Sequence, residues 1–274
     1  MKQMKHWMLA AVVALSGAGM ITACSSDDDE TTQPKPERSF SEKIVGKWIN
    51  VTDNENPVPT NEKRVLTILS STNALFSISL NDPLTAGWYS HQECDLTITG
   101  RKVAFSYEEN GMNFNCEYVA RTVSDNAMDV DYTFSATSGE RVIAQTDGTQ
   151  RLQRISDDHS QAIVGVWEGE STGDEGSAYD DGQRHRWEYK ADGTYTYYTL
   201  NDGEWEPLQS EYNTYFVDGL LLCTRWKNVG EDEHREWWEI ESIQNGVMKW
   251  TALRKRADGT TYTATFEMEK VTDQ

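Results

Sequence analysis

Basic residues are scarce in this chain: 25 lysines and arginines stand against 45 aspartates and glutamates, a formal charge of −20. A polyanion would be repelled by such a surface, so nucleic acid is excluded as a partner, as is docking to an anionic membrane through a polybasic patch. Proline and cysteine are also few, six and four, which rules out a disulfide-dense miniature scaffold. No His-Glu-x-x-His, Cys-x-x-Cys or phosphate-cradling glycine loop occurs, so the motifs that announce zinc-hydrolase, redox or nucleotide chemistry are missing. His91, His159, His185 and His234 are scattered without ligand spacing and read as solvated strand positions. No catalytic residue, cofactor or metal site is expected, and the chain reads as a non-enzyme. The acidic runs "GDEGSAYDDG" and "GEDEH" fit no calcium-loop ligand order and read as soluble loops.

Long hydrophobic runs are lacking too, save one. "MLAAVVALSGAGMI" follows the lysines of "MKQMKHW" and is too short to cross a bilayer core of about 30 Å, so residues 1–23 read as an export signal. It ends in "ITAC", which resembles the lipobox of bacterial lipoproteins. That resemblance implies a lipid on Cys24, which becomes the first residue of the mature protein, and hence a membrane partner reached through fatty acids. Removing Lys2 and Lys5 with the signal takes the charge to −22. The following "SSDDDE" resembles the acid-rich surface-export tag of some Gram-negative lipoproteins and implies the outer membrane, on the cell surface or otherwise on its periplasmic face. Residues 24–42, with "TTQPKPERSF", read as a tether.

What remains repeats itself. "IVGKWINV" at Ile44 returns as "IVGVWEGE" at Ile163, 119 residues later, predicting two tandem domains over 43–156 and 160–274. Inside each the hydrophobic period is two: Met128, Val130, Tyr132 and Phe134 alternate with Asp129, Asp131 and Thr133, and Tyr262, Ala264, Phe266 and Met268 alternate with Thr261, Thr263, Thr265 and Glu267. Asn-Gly and Asp-Gly pairs, among them Asn110-Gly111, Asp147-Gly148, Asp192-Gly193, Asp202-Gly203 and Asn245-Gly246, mark hairpin turns. Sequential hairpins with one wet face predict all-β, antiparallel up-and-down sheets that hide their edges by curling into barrels.

"GKW" and "GVW" resemble the Gly-x-Trp opening of lipocalins and related calycin barrels, and the layout over 163–271 is similar to lipocalin-like domains of anchored Gram-negative lipoproteins. The resemblance implies two tandem lipocalin-like barrels, each with its tryptophan plugging the closed end. In lipocalins a late arginine stacks on that tryptophan; Arg154 or Arg151 fits the role in the first copy, whereas the second offers Lys270.

Cys94 shares strand parity with Leu96 and Ile98, and Cys116 with Phe114 and Tyr118, so both point into one core. They are either bridged, closing a loop worth about 3 kcal/mol, or two buried thiols. Seven of the ten tryptophans and eight of the twelve tyrosines fall in the second copy. Adjacent strand residues face opposite ways, so the pairs Trp237-Trp238 and Tyr197-Tyr198 put one aromatic inward and one toward solvent or a neighbour. Trp187, Tyr189, Trp238 and Trp250 are the candidate ligand-binding residues, for a small apolar or carbohydrate ligand. The rival reading is a structural accessory subunit that binds an envelope protein through barrels filled by their own side chains.

Overall fold

The Gly-x-Trp openings organise both halves of the chain in the same way. In a computed structural model, which describes residues 38–79, 89–109, 111–171 and 182–272, a short helix α1 (Phe40–Ile44) capped by Ser39 leads into β1 (Gly46–Asp53). The export signal, Cys24 and its acidic run lie outside the described residues, as does most of the run at 173–182; the helix begins inside the stretch read as tether. The Trp48 indole N–H donates to the Ile44 carbonyl at 2.7 Å, and the Trp167 indole N–H to the Ile163 carbonyl at 2.6 Å. Both tryptophans are essentially fully buried. Over Trp48 lies the Arg154 guanidinium, 4.2 Å from the ring centre. Over Trp167 lies the Lys270 ammonium, 5.2 Å away and bonded to the Val164 carbonyl at 3.0 Å. The lysine thus takes the arginine's place. Glycine opens each motif because the cation crosses that position: a Cβ on Gly165, whose φ is +136°, would stand 2.7 Å from Lys270 Cε.

After β1 come β2 (Asn56–Pro57), a 3-10 turn (Thr60–Glu62), β3 (Arg64–Ile68), β4 (Asn73–Ser79), β5 (Tyr89–Thr99), β6 (Lys102–Glu109), β7 (Met112–Val123), β8 (Ala127–Ser138) and β9 (Arg141–Ile155). Each of β4 to β9 pairs antiparallel with its predecessor, and β1 pairs with both β3 and β9. The sheet therefore closes as an eight-strand barrel, with β2 as an extension of β1. Its interior is packed by Trp48, Phe105, Tyr118, Met128 and their neighbours. Asp147-Gly148 is no turn: β9 runs straight through it, and Gly148 lies beneath the side chain of Asn54, whose Oδ1 accepts from Thr149 N.

The second half runs β10 (Gly165–Ser171), β11 (Arg184–Tyr189), β12 (Tyr195–Asn201), β13 (Glu204–Pro207), β14 (Ser210–Asp218), β15 (Leu221–Asn228), β16 (His234–Gln244), β17 (Val247–Lys255) and β18 (Thr261–Val271). First and last strands pair, β10 with β18, so the sheet order is β13-β12-β11-β10-β18-β17-β16-β15-β14. The curl brings its two ends back together, but among the described residues a single antiparallel bridge, Thr194 to Thr214, spans them, supported by Tyr215 N donating to the Gly193 carbonyl at 2.8 Å. The all-β up-and-down fold holds here as expected; ladder closure along this seam does not. Two features explain the gap. β13 is four residues long and ends in Pro207, which has no N–H to give, and β14 opens with a register shift between Ser210 and Tyr212.

Trp237 and Trp238 separate as strand parity requires. Trp238 faces the interior with Trp187 and Trp250, while Trp237 is buried on the outer face with Leu221, Cys223 and Phe216. That outer face turns toward the first barrel. Between the halves, Thr60 Oγ1 donates to Glu239 Oε2 at 2.8 Å and accepts from Leu253 N at 2.9 Å, Lys63 Nζ reaches Glu239 Oε1 at 2.9 Å, and Lys47 pairs with Asp218. Contacts gather the chain from Arg38 onward into one compact unit.

Candidate functional site

Strand alternation places the aromatic residues of the second sheet. Along β11, His185, Trp187 and Tyr189 are buried while Arg184, Arg186 and Glu188 are turned outward, and along β17 Met248, Trp250 and Ala252 are the buried set. Trp187 lies directly across from Trp167 on one side and Tyr197 on the other. The curl then folds β11 over β16 and β17, and four rings selected from the sequence meet. Trp250 is their hub: Trp187 meets it edge-on at 5.3 Å, Tyr189 edge-on at 6.3 Å, and Trp238 stacks on it at 5.3 Å with an interplanar angle of 24°. Each such pair contributes about 0.5–1.5 kcal/mol beyond its buried area, so the cluster is rigid.

These four side chains line one cavity of about 100 Å³. It reaches the surface beside the seam, where Leu208, Asn213 and Asn228 form its rim. Sites for drug-sized ligands have about 300–1,000 Å³, and a dry cavity of about 150 Å³ takes up a benzene. A long lipid therefore does not fit; part of one ring does.

The polar groups around this cavity are mostly paired with each other. Tyr197 OH and His185 Nδ1 are 2.7 Å apart, Glu236 Oε1 accepts from Arg254 at 3.2 Å, and Thr224 Oγ1 donates to the Glu236 carbonyl at 3.3 Å. Burial, reinforced by the Glu236 carboxylate, pushes the Tyr195 hydroxyl far above its ordinary range, so it stays neutral. Two atoms differ. Trp250 Nε1, on a residue 1% exposed, has no protein partner, and neither does Asn228 Oδ1. The Asn228 amide is oriented by its other arm, which donates to Glu231 Oε2 at 2.9 Å. Leaving a buried donor unpaired costs about 1–3 kcal/mol.

His185 departs from the sequence reading. It is 4% exposed and packs edge-on against Phe266 at 5.6 Å, not in solvent; its parity with Trp187 and Tyr189 is the signal that places it inside. His234 stays half in solvent, stacked on Trp226 at 5.3 Å. Within "GEDEH", Glu231 pairs with His234 and Glu233 with Arg225 and Arg235. Among the described residues no group of three or more His, Cys, Asp or Glu side chains converges as a metal site.

Cys94 and Cys116 both enter the first barrel's core, yet no disulfide joins them. Cys94 is on β5 and Cys116 on β7, with β6 between: Cys116 is paired to Phe105, and Asp95 to Ser106. Two strand spacings are close to 10 Å, beyond the reach of an S–S bond. Burial pushes the Cys116 thiol up to about 12 and the Cys223 thiol well above its usual value, so neither is a nucleophile at neutral pH.

A larger cleft of about 950 Å³ lies between the halves, lined by Asp53, Asn54, Tyr132 and Lys255 among others. Its groups serve the scaffold: Tyr132 OH donates to Asp53 Oδ1 at 3.2 Å, and Asn50 Oδ1 accepts from Arg64 N at 2.6 Å. Asp53, Tyr132 and Asn50 are thus engaged, and Tyr132 is the one aromatic residue on this lining, so the aromatic cavity is the better candidate.

No protein-family profile and no curated protein matches this chain. Among solved structures, a double mutant of transferrin-binding protein B from Haemophilus parasuis is similar over 77% of this chain and 54% of its own, at 7% identity and a TM-score of 0.24. A further mutant of that protein aligns over 84% and 64%, at 8% identity and 0.24. A protein of unknown function from the DUF3598 family of Nostoc punctiforme aligns over 85% and 98%, at 8% identity and 0.22. This chain thus spans about half the length of the first of them. At these scores the likeness carries no inference about ligand or partner. Among the described residues, no helix is long and apolar enough to cross a membrane.

Proposed function

We propose that this chain is a lipid-anchored envelope protein, tethered through Cys24 to the outer membrane and displayed on the cell surface, that binds a ligand without catalysis. In this reading residues 43–156 and 160–274 are two lipocalin-like domains, the first a packed scaffold and the second the binder. The convergence of Trp187, Tyr189, Trp238 and Trp250 on a single cavity with an open rim carries the proposal. Aromatic walls with few polar groups are the usual lining of small-ligand sites. The ligand is small and either apolar or a carbohydrate.

Titration followed by tryptophan fluorescence tests the site. Trp187→Ala and Trp238→Ala each remove a wall, and each is expected to weaken any ligand that quenches the parent protein; unchanged titrations in both variants would exclude the cavity. The anchor is tested separately, because Cys24→Ser is expected to release the protein from membranes into the soluble fraction.

One observation favours an accessory, protein-binding role instead: the first barrel's interior is filled by Trp48, Phe105, Tyr118 and Met128. Native mass spectrometry of gently extracted protein separates the two, since a co-purifying small molecule supports the binder and a stoichiometric protein the accessory subunit.

A further inference from the structure

We infer that the cavity takes the terminal ring of a neutral, hydroxylated ligand, a sugar, in preference to a hydrocarbon or an organic cation. This rests on the reading of the cavity as a binding site.

Charge comes first. An aromatic box suits a quaternary ammonium group, but the single carboxylate on this lining, Glu236, is held by Arg254 at 3.2 Å, and the Arg254 guanidinium stands 4.7 Å from the Trp238 ring centre. The cation-attracting face of Trp238 is already occupied. A second cation would find that face taken and no unpaired carboxylate on the lining.

Hydrogen bonding comes next. A hydrocarbon entering the cavity would leave the Trp250 N–H and Asn228 Oδ1 as they are, a donor and an acceptor without partners. Both atoms are shielded from water, so pairing them takes a small side-chain shift; hydroxyl groups both donate and accept, and a ring bearing several of them then satisfies both at once. The C–H faces of such a ring stack on aromatic walls. Size agrees with an end group: about 100 Å³ admits one edge of a ring, and the remainder leaves past Leu208 and Asn228, where a glycan chain would continue into solvent.

Saturation-transfer NMR on the intact mature protein tests this with four probes: methyl β-glucopyranoside, methyl β-galactopyranoside, toluene and tetramethylammonium chloride. At least one glycoside is expected to bind. Trp250→Phe keeps an aromatic wall and deletes only the N–H, and it should weaken that glycoside about tenfold while leaving any toluene signal unchanged. Asn228→Ala, at the rim and remote from the core, should weaken the same glycoside, and it decides the matter if Trp250→Phe does not fold. Toluene or tetramethylammonium binding without either glycoside would overturn the sugar assignment and leave the cavity as a site. Binding of none of the four would overturn both, and glycoside affinity unchanged in both variants would overturn the hydrogen-bonding assignment.

Discussion

Arg154 holds the closed end of the first barrel together from β9. Its guanidinium covers Trp48, donates to the Val45 carbonyl at 2.7 Å and to the Lys43 carbonyl, and its Nε reaches the Asp125 carbonyl at 2.5 Å. Three segments are thereby fixed to one side chain. Lys270 reproduces the stack on Trp167 with a single backbone bond and stays exposed. Because a charged hydrogen bond contributes about 1.5–3 kcal/mol and an exposed cation–π contact about 0.5–1, Arg154→Ala should lower stability by about 3 kcal/mol and Lys270→Ala by about 1. Urea midpoints of the two variants measure the difference. Glu233 sets a pH dependence at the same scale. Bonds from Arg225 first, then Tyr212 and Arg235, depress its carboxyl from 4.5 to about 2. A depressed carboxyl stabilises the fold above its unfolded value and loses that contribution as pH falls through the folded one. Between pH 4.5 and about 2 the parent protein should therefore lose stability that Glu233→Gln does not lose, a flatter acid limb readable from urea midpoints against pH.

At the scale of strands and sheets, the seam between β12 and β14 is where the second sheet is weakest. Among the described residues a single β-bridge, Thr194 to Thr214, spans it beside two bonds from Tyr215, and directly opposed antiparallel residues stand at a separation that a disulfide spans. The double variant Thr194→Cys, Thr214→Cys should oxidise readily and, closing a loop of about 20 residues, stabilise the protein by about 3 kcal/mol in the oxidised form only. If the rim must widen for a ligand to enter, the oxidised form should also bind more slowly than the reduced form, as stopped-flow fluorescence would register. Much of this element was readable beforehand, because period-two alternation is a local property. Trp187, Tyr189, Trp238 and Trp250 could be assigned inward from their own neighbours in the chain. Which strands would flank one another across a barrel is not local. Parity put Cys94 and Cys116 in one core correctly, yet only the pairing order reveals β6 between them. Asp147-Gly148 carried a turn signal that the long β8–β9 ladder overrides, since Gly148 is needed under Asn54. The unpaired N–H of Trp250 was invisible for the same reason: whether an indole finds an acceptor depends on strands far away in sequence.

At the scale of the whole molecule, the repeat implies two independent halves, while the contacts between them describe something more cooperative. Thr60 is wholly buried, and its hydroxyl joins β16 to β17 through Glu239 and Leu253. The Lys63 and Glu239 side chains are 9% and 19% exposed, so their pair is largely removed from water. Truncating one member of a buried pair strands the other, a loss of about 3–5 kcal/mol when burial is complete and about 2–3 kcal/mol at this partial exposure. The outer-face residues Leu221, Cys223 and Trp237, which a lone sheet would show to solvent, are buried on the side that carries Asp218 and Glu239. Neither half buries its apolar surface alone, so the parent should unfold in one transition. Lys63→Met and Thr60→Val each weaken the link, leaving the Lys47–Asp218 pair and each sheet's interior untouched. Differential scanning calorimetry should then show the single endotherm broaden or split, with the second half melting first because its seam is open and its partner barrel is closed. A single sharp endotherm in both variants, shifted only in temperature, would mean that the cooperativity comes from elsewhere.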